Sequence, residues 1–303
     1  MSRTALSLLL VAGALAAEDS STAPLVGAGK SMSETASGEP VNTHSWLMPA
    51  IAVDGQISTV HEDQLIGSYG QPRWTARRLF TETRSYVIPE GQIQFEYWLT
   101  VQDAARNAPE GDEGKVKQQY EVEMGLPYRF QVDLYQEYEK EGMSDGENVL
   151  SALKFEVRWA FADWDVIPFN PTAYLEWEQG NGDYDTIEGK LLFCDDFTER
   201  LRWAANVVWE EKTGGDYSRS RELTGGVSYG AIDSKLAVGV ETKFGWEDSQ
   251  TDGEWSACTQ EFLVGPSIQV RPSPQTHIDL ALLFGLTEDS SRSKFNMVAG
   301  WEF

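Results

Sequence analysis

The chain has 303 residues with 48 acidic and 24 basic side chains, a formal net charge of −24. That balance excludes a general nucleic-acid binder, whose phosphate partner needs a basic face. Two cysteines and three scattered histidines (His44, His61 and His277) show no metal-ligand spacing, so neither a metal nor a cofactor is expected.

Residues 1–17 carry an early basic residue, Arg3, then an apolar stretch from Ala5 to Ala17 with small residues at Ala14, Ala16 and Ala17. This is the pattern of a cleavable secretory signal peptide, and it is too short to span a bilayer comfortably as a helix. Residues 18–60 are rich in Ser, Gly, Ala and Thr and are expected to form a poorly ordered, flexible linker. Residues 61–90 hold Gly67-Ser-Tyr-Gly-Gln-Pro-Arg-Trp74 and Arg77-Arg78-Leu79-Phe80. They are expected to be a short periplasmic lead-in segment with no legible chemistry.

From residue 91 to 303 the chain alternates. The first such segment sets Ile93, Phe95, Tyr97, Leu99 and Val101 against Gln94, Glu96, Trp98 and Thr100. The third sets Phe130, Val132 and Leu134 against Gln131, Asp133 and Tyr135, and the seventh sets Leu201, Trp203, Ala205, Val207 and Trp209 against Arg202, Ala204, Asn206 and Glu210. The last runs Phe295, Met297, Ala299, Trp301 and Phe303, with polar or small residues mostly between them. Period two is the signature of a strand with one apolar face. A period of 3.6 would bring Lys or Glu onto the apolar face of nearly every segment, so a helical reading fails. No segment after the leader approaches 18 apolar residues, so any later membrane span must be made of strands.

About twelve strands can be read, an even number, as a single-chain transmembrane barrel requires. With Phe303 at the inner rim, the outward connections are long and rich in Gly, Ser and acids, such as Asp103 to Gly114 and Glu247 to Ser256. The inward ones are short, apart from Ala162 to Pro171. A sandwich has no reason to sort its connections this way. The expected fold is therefore all-β: an antiparallel transmembrane β-barrel of about 12 strands over residues 91–303. Val240 then faces lipid and Glu241 the lumen, so Val240→Arg should cost far more than Glu241→Arg. Cys194 and Cys258 fall at opposite rims and should not form a disulfide.

On the expected lumen face Lys117, Glu121, Arg129, Asp133, Lys154, Glu156, Arg158, Arg202, Glu241 and Lys243 mix both signs on adjacent strands. Two readings fit them. They line a path for polar solutes, or they pair across strands and close a narrow interior. No Ser/His/Asp or Cys/His arrangement is readable, and His277 lacks the Ser-Asn-Gly that follows the histidine of outer-membrane phospholipases. No enzymatic function is expected.

Residues 91–303, with their terminal aromatic strand, resemble Gram-negative outer-membrane β-barrels. A fainter likeness, carried by Tyr120-Glu-Val-Glu-Met-Gly-Leu-Pro-Tyr-Arg-Phe-Gln-Val-Asp-Leu-Tyr135, is to outer-membrane transporters associated with aromatic-compound degradation (meta-pathway type). The resemblance implies a cell outer membrane location, lipid and lipopolysaccharide as neighbours, and barrel-assembly machinery that reads the strand ending in Phe303. It implies porin-like or small-solute transport. The alternative is a non-conducting structural or binding barrel with a filled, salt-bridged lumen.

Overall fold

The computed structural model describes residues 61–143, 146–215, 217–251 and 253–303. The expected signal peptide (1–17) and linker (18–60) lie outside the described residues. Twelve long strands run in chain order: β1 (Ile93–Gln102), β2 (Lys115–Leu126), β3 (Phe130–Glu141), β4 (Val149–Ala160), β5 (Thr172–Gly180), β6 (Thr186–Thr198), β7 (Leu201–Lys212), β8 (Tyr217–Ile232), β9 (Leu236–Thr251), β10 (Thr259–Ser273), β11 (Thr276–Gly285) and β12 (Ser293–Glu302). Each pairs antiparallel with its sequence neighbours, and β12 pairs with β1 from Lys294↔Gln102 to Glu302↔Gln94. The sheet is closed. Closure removes the free edges that an open twelve-stranded sheet would present.

Alternation does what the sequence pattern implies. On β3, Gln131, Asp133, Tyr135 and Glu137 are buried, whereas Phe130, Leu134 and Gln136 are exposed. On β9, Val240 is 53% exposed and Glu241 is fully buried. Leu153, Leu175, Leu191, Val207, Val227, Val238 and Leu282 likewise stand on the outside. A water-soluble protein does not wrap itself in such an apolar belt. Aromatic clusters border it at the rim that carries Phe303: Phe130 stacks on Trp159, Phe169 and Phe197 both pack on Trp203, and Trp301 meets Phe303. These are the interfacial girdles of a membrane barrel. Among the described residues no helix is long and apolar enough to cross a membrane; the crossing is made by strands.

At the Phe303 rim the connections are residues 127–129, 161–171, 199–200, 233–235 and 274–275, all short but one. The opposite rim carries longer segments such as 103–114. The stretch from Glu247 to Ser256, expected as a loop, is instead largely strand: β9 runs to Thr251 and the chain doubles back through Glu254–Trp255.

The larger correction concerns residues 61–90. The expected lead-in does not stay outside the barrel but enters the lumen. It begins at the short-turn rim, where the Glu62 amide donates to Asp233 (3.2 Å) between β8 and β9. It rises to mid-barrel at Thr81–Ser85 and returns to the same rim, where the Gly91 amide donates to the Gly125 carbonyl (2.9 Å). The physical reason is fit. Inward positions near this rim are small (Ala160, Ala204, Gly226, Ala237), and Trp74, Leu79, Phe80, Tyr86 and Val87 fill the space they leave, with Trp164 of the 161–171 connection beside them. A Cβ at Gly226 would lie 2.3 Å from the Phe80 ring, so only glycine allows this approach. We call residues 61–90 the strap.

Candidate functional site: the lumen

The lumen has two storeys. In the lower one, near the short turns, the strap is locked to the wall by arginines. Arg77 pairs with Glu302 (2.7 Å) and Arg271 with Glu62. Arg78 donates to Glu96 (3.1 Å) and lies 3.7 Å above the ring of Trp98, whose indole N–H donates to Glu121 (2.8 Å). His277 bonds Asp279 (2.5 Å) and Gln94 (3.0 Å).

The strap tip, Thr81-Glu-Thr-Arg-Ser85, sits at mid-barrel. The amides of Thr81 and Glu82 both donate to Glu241 (2.8 and 2.9 Å). Glu82 is gripped by Lys294 (2.6 Å) and by the Asn296 amide (2.6 Å), and the Thr83 hydroxyl meets that of Thr224 (3.0 Å). Arg84 donates to Glu121 (2.8 Å), Glu123 (3.1 Å) and Tyr135.

Strand register explains why so many cations gather here. Glu123, Asp133, Glu156, Glu176, Glu188 and Glu210 stand directly opposite one another, strand by strand, from β2 to β7. Like charges facing each other across strands destabilise a sheet unless something intervenes. Here Arg158 reaches Asp133 (2.9 Å) and also pairs with Glu156, Lys154 reaches Glu178 (2.7 Å) and Glu176 (3.7 Å), and Lys190 reaches Glu188 (2.7 Å). Two trios, Glu96–Glu121–Glu123 and Glu121–Asp133–Glu156, hold ligand oxygens within 4.8 Å of one another. Arg78, Arg84 and Arg158 already occupy that space, so the trios form an ion-pair network rather than a metal centre.

The upper storey is wetter. Side chains at tip level and below are nearly sealed, with Glu121 and Asp133 at 0% and Arg158 at 4% exposure. Towards the long-loop rim, Lys117 rises to 32%, Glu178 to 28% and Glu261 to 24%. Lys243 there joins Glu222 (2.7 Å) and Glu261 (3.6 Å), and Lys117 joins Glu137 (3.2 Å).

Of the ten residues expected to line the lumen, nine lie on inward strand positions. Lys117, Lys154 and Lys243 stand in the upper storey; Glu121, Asp133, Glu156, Arg158 and Glu241 surround the strap tip; and Arg202 sits low, 3.6 Å from Asp196. Arg129 is the exception. It belongs to the 127–129 turn, where Tyr128 and Arg129 take left-handed backbone angles, and its guanidinium turns to Asp163 (2.9 Å) at the rim. Sequence reasoning missed the strap cations Arg77, Arg78 and Arg84. Their signal was four arginines within twelve residues, too little to place them inside a barrel.

No protein-family model and no curated protein matches the chain. Solved structures do. An outer-membrane channel from Pseudomonas putida F1 is similar at TM-score 0.53 and 9% identity, covering 75% of this chain and 100% of that one. The NanC porin is similar at TM-score 0.50 and 10% identity, covering 68% and 98%. At such identities the likeness establishes the fold, that of outer-membrane β-barrels.

Proposed function

We propose that the protein is a porin-like barrel of the cell outer membrane that passes small polar solutes, and that it is not an enzyme. The observation that carries this is the upper storey: a charged, water-accessible lining inside a closed barrel, open towards the long-loop rim. A barrel whose interior served only as a core would bury such charges fully, whereas the paired Lys117, Glu178 and Glu261 keep 32%, 28% and 24% of their side-chain surface in water. Location follows from the apolar belt, the aromatic girdles and the fold. His277 supports the non-enzymatic reading, because its partners are Asp279, Gln94 and Glu96, and a hydrolytic triad needs a hydroxyl or thiol in that place.

The strap favours a second reading. Its tip crosses mid-lumen with Thr81, Thr83 and Ser85 buried, which suits a non-conducting barrel. Liposome swelling separates the two. Proteoliposomes placed in isotonic solutions of small polar solutes should swell at rates that fall with solute size. Swelling no faster than in empty liposomes, with the barrel correctly folded, would favour the filled, non-conducting reading.

A further inference from the structure

The strap changes character along its length. Leu79-Phe80 and Tyr86-Val87-Ile88 are buried, apolar and clamped at the bottom of the lumen. The five residues between them are all polar; the first four meet the polar wall groups Glu241, Lys294, Thr224 and Glu121, and the Ser85 carbonyl accepts from the thiol of Cys194 (3.3 Å), which belongs to the apolar cluster at the base. A permanent plug would be best served by more apolar packing at mid-barrel, since buried ion pairs are near break-even against apolar replacements. Wall and tip are instead both hydrophilic, and the Glu82 and Arg84 side chains, each 10% exposed, sit where the wet upper storey begins. Groups leaving such contacts move into water rather than into a vacant apolar hole. Water following the tip down from the upper storey rehydrates Glu121, Glu123 and Glu241, so the open arrangement is a minor state of the barrel rather than a forbidden one.

We infer that residues 81–85 form a hinged gate, swinging off the wall between Phe80 and Tyr86 to open a polar passage, while the apolar base of the strap stays in place. This rests on the porin-like reading and says where that path is closed.

The test uses the full chain carrying Cys194→Ser and Cys258→Ser. In one variant Thr83→Cys and Thr224→Cys lock the tip, since hydroxyls 3.0 Å apart place two sulfurs close to bonding distance. In a second, Thr83→Cys alone reports motion, because a site 2% exposed reacts with an impermeant maleimide only when the tip leaves the wall. The single variant should label in the folded barrel, and faster with Glu82→Gln added. The locked variant should lose conductance on oxidation and regain it on reduction. A single variant that never labels overturns the gate, and so does a locked barrel that conducts as well as the reduced one. Labelling without conductance in either state overturns the channel reading while showing that the tip moves.

Discussion

Arg84 is the residue on which the middle of the molecule turns. It answers Glu121 and Glu123 at once, and both carboxylates are buried. Arg84→Met should therefore cost about 3–5 kcal/mol in a denaturant titration of the detergent-folded barrel, because it leaves buried charge without its partner. Lys212→Met removes an ion pair to Asp183, which is 62% exposed, and should cost under about 1 kcal/mol. Equal losses would mean that the lumen is as wet at mid-barrel as at the rim. Gly226→Ala should cost about 1–3 kcal/mol through overpacking against Phe80, and should raise mid-lumen labelling as the strap loosens. At this scale the sequence showed which side chains face inward but not whom they meet. Glu121 could be assigned to the lumen from parity alone. Arg84, its partner 37 residues away, has no periodicity to betray it.

Among elements, parity was the legible feature and strand length was not. Alternation persists wherever one face meets lipid, so each strand's inward set could be read directly. Beyond the belt neither face is apolar and the pattern fades, which is why β9 runs longer than expected. Val240→Arg should cost roughly 2–4 kcal/mol where the belt is deepest. Glu241→Arg, a mild change by strand parity alone, is costly in this structure, because Glu241 accepts three hydrogen bonds from the strap. Glu241→Gln is the informative variant: folding stability should fall less than for Val240→Arg, and the tip should label faster. The opposed carboxylates of β2 to β7 carry a prediction of their own. They should favour cations, so the double change Glu188→Gln and Glu210→Gln should shift the reversal potential in a salt gradient towards zero. An unchanged potential would place the permeation path away from that wall.

For the whole molecule, the closed barrel was written in the chain and the strap was not. A strand repeats one rule twelve times, and agreement across segments makes up for weak individual signals. Residues 61–90 occur once, mix arginines with aromatics, and take their shape from a cavity that exists only after the barrel closes. The two cysteines test that order of strands. Cys194 is buried in the lower lumen and Cys258 is exposed beyond the start of β10, and both are free thiols. Impermeant maleimide on intact cells should label Cys258 and spare Cys194, and a disulfide between them found by non-reducing mass spectrometry would contradict the topology.

Single-channel recording of the full chain in planar bilayers shows whether this membrane barrel passes small solutes past a strap held in its lumen. Discrete conductance steps are expected, small and cation-preferring, and they should grow when Arg84→Met weakens the tip. A correctly folded barrel that stays silent, with Arg84 intact or replaced, would contradict this expectation.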